Sequence, residues 1–183
     1  MHLGLFSYVA FLRAINVGGN SIVSMAAFKD AFVALGFSDV RTYINSGNVI
    51  FSTSSAATQT LAARIEKSIE KQTGMPIKAL VLSRAALKQI VDFIPADWVD
   101  DRVMRCYVIL LWKAVDDPRI LAQLPSNPAV EDVRYTPGAV IWRVDRENLG
   151  KSRMTRLIGT PLYKQLTMRS ANTIRKINAL VAV

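Results

Sequence analysis

The chain has 183 residues, of which 51% are apolar and 20% charged, enough to bury a core and to exclude disordered, collagen-like and coiled-coil classes. One cysteine, Cys106, and one histidine, His2, rule against disulfide scaffolds, zinc ribbons and Cys/His catalysis. The net charge of +9 is uneven, with nine basic and seven acidic side chains in residues 1–100 against fourteen and seven in 101–183, and no carboxylate side chain follows Glu147.

Residues 8–15 are apolar at both parities, which predicts a strand covered on both faces. The apolar run 3–12 has no Lys or Arg before it and leads into Arg13, so it is expected as this strand rather than a signal peptide. No stretch approaches the roughly 20 apolar residues a membrane helix needs. A turn at 16–20 precedes a helix carrying Met25, Phe28, Phe32 and Leu35, stopped by Gly36. Strands are expected at 40–44 and 49–52 around a tight turn at Asn45-Ser-Gly-Asn48. A helix with Leu61, Ile65 and Ile69 at i, i+4 and i+8 closes at Gly74 and Pro76, and a strand follows at 77–82. The order is βαββαβ, a ferredoxin-like split unit.

Ser83 caps a helix ending before Pro95, and residues 96–102 form an acidic connector. A long strand at 103–112 leads to a helix at 117–124, with Asp117 as N-cap, Pro118 at its first position and Pro125 after it. A hairpin is expected from 130–135 and 139–144 around Thr136-Pro-Gly138, then helices at 152–158 and 162–166, a short strand near 166–169, and a last helix over 172–180. This is again βαββα(β), so the expected class is α+β: two ferredoxin-like units in pseudo-duplication at the level of the fold. The expected division is a first unit at 1–82, a helix and connector at 83–102, and a second, basic unit at 103–183.

Gly150-Lys151-Ser152 between a strand and a helix has the setting of a phosphate loop, but Asp145 stands where G-x-x-x-x-G-K-[ST] needs its first glycine, so the triphosphatase pattern fails. Amide groups at the start of a Ser152 helix, beside Lys151 and Arg153, could hold a single anion; ordinary N-capping by Ser152 explains the same residues. Gly18-Gly19, flanked by Asn16 and Asn20 after Arg13, makes either a plain turn or a loop that lets a ligand approach the backbone. Base stacking of the RNA-recognition type is disfavoured, because only Phe51 occupies a suitable strand position. Cys106 between Arg105 and Tyr107 reads as a buried structural thiol, Asp116-Asp117 as capping residues, and the tryptophans as packing residues.

These segments resemble one family closely. Arg13-Ala-Ile-Asn-Val-Gly-Gly19, Met25 opening a helix, Leu35-Gly-Phe37, Val40-Arg-Thr-Tyr43 and Ser46-Gly-Asn-Val49 with Phe51 resemble the bacterial domain-of-unknown-function 1697 family, as do Gly150-Lys-Ser-Arg-Met-Thr155 and Thr167-Met-Arg-Ser-Ala-Asn-Thr173. The chain departs at Ser170 and Ala171, where the family tends to have Arg-Asn-Trp-Asn. The resemblance implies an α+β fold of ferredoxin-like character and no particular activity. Its distinctive polar positions are Arg13, Asn16, Gly18, Gly19, Ser46, Gly47, Asn48, Lys151, Ser152, Thr155, Arg169 and Asn172. We expect these to converge on one anion-binding site between the two halves, for a nucleotide-like small molecule or nucleic-acid phosphate. The alternatives are a small-molecule enzyme using Lys151 with backbone oxyanion donors, and a non-catalytic interaction module. No cofactor, metal or membrane is expected, and the protein is expected in the cytoplasm as a monomer or small homo-oligomer.

Overall fold

The computed structural model describes residues 5–13, 24–54 and 57–182. The chain folds as two compact units, Met1–Leu87 with Ala179–Val183, and Lys88–Asn178.

The first unit contains β1 (Phe6–Arg13), α1 (Met25–Val33), β2 (Ser38–Tyr43), β3 (Asn48–Thr53), α2 (Thr58–Thr73) and β4 (Lys78–Ser83). Its antiparallel sheet runs β2-β3-β1-β4, with Val9 opposite Ile50 on one side and Leu82 on the other. Both parities of β1 are buried, as the doubly apolar pattern requires: Tyr8, Ala10 and Leu12 on one, Val9 and Phe11 on the other. Tyr8, Ala10 and Leu12 join Phe51, the α1 residues Phe28 and Phe32, and the α2 residues Leu61, Ile65 and Ile69 in one core. Phe37 stacks on Phe51 at 4.6 Å and Phe32 meets it edge-on at 5.2 Å, so truncating Phe51 to Ala would cost about 3–5 kcal/mol. The Ser24 hydroxyl accepts from Ala27 N–H at 3.1 Å and starts α1, and Gly74 closes α2 at φ +70°.

The second unit takes α3 (Arg84–Phe93) from Lys88 onward and continues with β5 (Met104–Leu111), β6 (Glu131–Thr136), β7 (Ala139–Asp145), β8 (Leu166–Ser170) and α4 (Ala171–Val181) as far as Asn178. Its sheet runs β6-β7-β5-β8, the same serial order as the first, so the α+β class with two ferredoxin-like sheets holds. The expected helices at 117–124, 152–158 and 162–166 are instead 3₁₀ segments, Pro118–Gln123, Met154–Gly159 and Pro161–Gln165. Each has at most six residues and is bounded by Pro or Gly, too short to offset the cost of nucleating an α-helix. They still deliver Ile120, Met154 and Leu157 to a core with Ile109, Leu111, Val140 and Trp142. Cys106 is fully buried in β5, and burial pushes its thiol up to about 11. Among the described residues no helix is long and apolar enough to cross a membrane, and no cluster of His, Cys, Asp and Glu could hold a metal ion.

Candidate functional site

The Gly150-Lys151-Ser152 segment is built around a carboxylate that its own sequence does not contain. Glu131 opens β6 opposite Val144 and is 7% exposed beside Trp142. Its oxygens accept from Trp142 Nε1 at 3.2 Å, Met154 N–H at 3.3 Å, Arg153 N–H at 3.4 Å, the Ser152 hydroxyl and the Asn127 N–H. A buried carboxylate needs such donors to offset lost hydration, and five converge here. Ser152 itself is extended, φ −65° and ψ 138°, between the 3₁₀ segments Arg146–Lys151 and Met154–Gly159. The amides at 153 and 154 therefore bind an anion supplied from within the chain. Asn127 Nδ2 donates to Lys151 O at 3.0 Å and ties the segment from the other side. A Cβ at Gly150 would meet nothing within 4 Å, so packing does not demand glycine there.

The cations from Arg119 onward fall into two groups. One is committed to structure. Arg119, Arg134, Arg143 and Arg146 pair with Asp117, Asp132, Asp145 and Asp100. Arg175 donates to Trp98 O at 2.7 Å and Pro95 O at 2.8 Å, and Arg134 lies 4.3 Å above the buried Trp98 ring. Arg169 is buried on β8, donating to Thr167 Oγ1 at 2.9 Å and Met168 O at 2.7 Å, and desolvation draws its guanidinium down to about 10. The other group, Lys151, Arg153, Arg156, Lys164 and Lys176, is exposed, with no ion pair among the described residues. Thr155 is exposed among them.

Asn172 is a clamp at the start of α4. Its Nδ2 donates to Asp100 O at 2.7 Å and its Oδ1 accepts from Asp100 N–H at 3.3 Å, fixing the acidic connector. In the first unit, Arg13 ends β1 half-buried opposite Lys78. Asn48 is fully buried, and its Nδ2 donates to Tyr43 O at 3.1 Å and Ser46 Oγ at 3.3 Å. These bonds hold the 3₁₀ turn Ile44–Ser46, closed by Gly47 at φ +72°. Ile44 has φ +49°, a position a β-branched residue rarely takes, and its side chain is half exposed. Asn16, Gly18 and Gly19 lie outside the described residues.

Sequence reasoning misses Glu131, because nothing in its own stretch marks a carboxylate whose partners lie mostly about 20 residues on. It also reads Asp116 as a cap; Asp116 accepts from Tyr135 OH at 3.0 Å and Gly138 N–H at 2.8 Å and secures the β6–β7 turn, while Asp117 alone caps. Gly138, at φ +85°, is the one local hint of such an anchor.

The family of proteins of unknown function designated DUF1697 matches residues 5–142. This chain belongs to that family. Among solved structures, the DUF1697 chain is similar to the conserved bacterial protein SP0830 from Streptococcus pneumoniae, with 24% identity, a TM-score of 0.81 and coverage of 97% of this chain and 99% of that one. That likeness shows the fold. No curated protein matches the chain. Glu131, Trp98 and the β5–β7 ladder up to Trp142 lie inside the matched span, whereas the Lys151 and Arg169 segments lie beyond it.

Proposed function

We propose that this protein binds an anionic ligand, a nucleotide-like molecule or nucleic-acid phosphate, through the basic surface of its second unit. The observation that supports the reading is the set of exposed cations Lys151, Arg153 and Arg156, carried on short segments fixed to the buried Glu131 and followed by no carboxylate side chain in the sequence. A rigid array of one sign raises the local concentration of anions without needing a deep cleft. Lys151 and Thr155 are the members of the candidate set most open to a ligand; the Ser152 hydroxyl is engaged by Glu131, and Arg169 is buried. Engagement of the 153 and 154 amides by Glu131 weighs against an oxyanion-hole role for that turn. Arg13, Ser46 and Asn48 are the first unit's candidates, and the cytoplasm is the proposed location.

The test is thermal shift at low salt with mononucleotides, inorganic phosphate, polyphosphate and nucleic acid. A ligand at a hundred times its Kd stabilises by about 2.7 kcal/mol, a rise of roughly 5–11 °C for a chain of this size. The K151A/R153A/R156A variant should keep its unliganded Tm and lose the rise. Absence of any shift with all of these anions would overturn the reading.

A further inference from the structure

The exposed cations occupy a surface that a single small anion does not fit. Lys151 ends one 3₁₀ segment, Arg153 lies in the link after it and Arg156 sits on the following 3₁₀ segment, six residues in all, with Lys164 on the next. The five residue steps from Lys151 to Arg156 include the extended Ser152 and reach at most about 17 Å along the chain. The local backbone donors that would cradle one phosphate, the N–H groups of Arg153 and Met154, already hold the Glu131 carboxylate, which would repel a phosphate placed on them. A small-molecule site gathers buried polar groups in a concave pocket, whereas these side chains are spread out and exposed. Repeated phosphates suit them better. Duplex nucleic acid presents one charge per about 1.7 Å of axis, so a strip of this length faces several phosphates at once.

The same surface discriminates among polyanions. Single-stranded nucleic acid is held largely by bases stacking on aromatic rings. After Glu147 the sequence contains only one aromatic, Tyr163, and it is half-buried. An anionic lipid surface is met by an amphipathic helix with a broad apolar face. Here the segments are turns of five or six residues, and Ile158 is their one exposed large apolar side chain among the described residues. Resting on the anion-binding reading above, we infer that the ligand class is the phosphate backbone of double-helical nucleic acid, contacted without base readout by Lys151, Arg153 and Arg156.

Fluorescence anisotropy of the full chain with a 20-base-pair duplex DNA, against its single strand, ATP and phosphatidylserine vesicles, tests this. Three phosphate contacts give a slope of about −2.7 in log K against log salt, which is about a 40-fold weakening from 50 to 200 mM. The duplex should bind more tightly than the single strand and show at least that slope. K151Q/R153Q/R156Q should lower the slope's magnitude by about 2.7, and K67A/K71A, two exposed lysines of α2, should leave it unchanged. The three side chains make no ion pair among the described residues, and an unchanged Tm confirms that the variant folds. Saturable ATP binding that depends on Lys151, without duplex binding, would overturn this inference and leave the anion-binding reading standing. Tighter binding to the single strand or to vesicles, or a slope that the triple variant leaves unchanged, would overturn it as well. No binding to any of these probes would overturn this inference, and the anion-binding reading falls with it where the thermal shifts are absent as well.

Discussion

Replacing Glu131 by Gln removes one charge while nearly keeping side-chain volume, and it isolates what holds the Lys151 segment. Two of the donors to Glu131, Trp142 Nε1 and Met154 N–H, lie in buried surroundings where water cannot replace the lost acceptor. Hydrogen bonds to a charged group contribute about 1.5–3 kcal/mol each, so two represent about 3–6 kcal/mol. The carboxamide oxygen recovers part of this, but its NH₂ group faces another donor, which leaves a net cost of roughly 2–4 kcal/mol. For a chain of this length each kcal/mol lowers Tm by about 2–4 °C, so E131Q should melt on the order of 10 °C lower. Circular dichroism or calorimetry of wild type and variant reads this directly. S152A removes a single bond to the carboxylate and should cost about 1.5–3 kcal/mol, and the double variant should cost less than the two added together because both act on the same hydrogen bond. A Tm for E131Q within about 2 °C of wild type would refute the account of Glu131 as the anchor.

Asn172→Ala should lower stability by about 1 kcal/mol and speed amide exchange at Asp100, read by hydrogen-exchange mass spectrometry; unchanged exchange there would remove the clamp. Cys106, with its thiol at about 11, should carry only about a thousandth of its population as thiolate at pH 8, so an aromatic disulfide reagent should react with it only after unfolding. Asp117 is lowered to about 2 from its ordinary 3.8, first by the Arg119 guanidinium and then by the Arg119 N–H. Its contribution to stability is therefore present above about 3.8 and lost as pH falls toward 2, and carboxyl NMR should show the R119A variant titrating nearer 3.8.

Much of the first unit is legible in sequence because its signals are local. The doubly apolar strand, the Leu61, Ile65 and Ile69 spacing and the Gly47 turn each specify an element within about ten residues, and all three appear in the structure. The second unit is harder, because over six residues apolar spacings of three and four do not separate a 3₁₀ segment from an α-helix. Ile120 and Leu124, four residues apart, fit the α-helical period, and only the bounding prolines favour the shorter coil. Gly150 and Lys151 do not form a loop straight after a strand: they end the 3₁₀ segment Arg146–Lys151 that follows β7, and Ser152 is extended after it rather than the start of a helix. What the amides of this segment hold is set by Glu131, 21 residues before Ser152, and no local pattern carries a tertiary hydrogen bond of that range. Net charge misleads for a related reason: Arg134, Arg143, Arg146, Arg169 and Arg175 count toward the excess while serving the fold.

The shared strand order of the two sheets has an unequal consequence during synthesis. In the first sheet, β4 ends at Ser83, so the pairing of Val9 with Leu82 is possible as soon as Ser83 has left the ribosome. In the second, β5 pairs with β8, Tyr107 opposite Ser170, across 63 residues, and that edge closes only once Ser170 has emerged. Non-local pairing of this kind is slow, because loop closure must precede the contacts that reward it. The nascent second sheet thus waits with one side of β5 unpaired while β6 and β7 form, and the exposed charges of residues 151–164 are the last part of the growing chain to emerge before that side is closed.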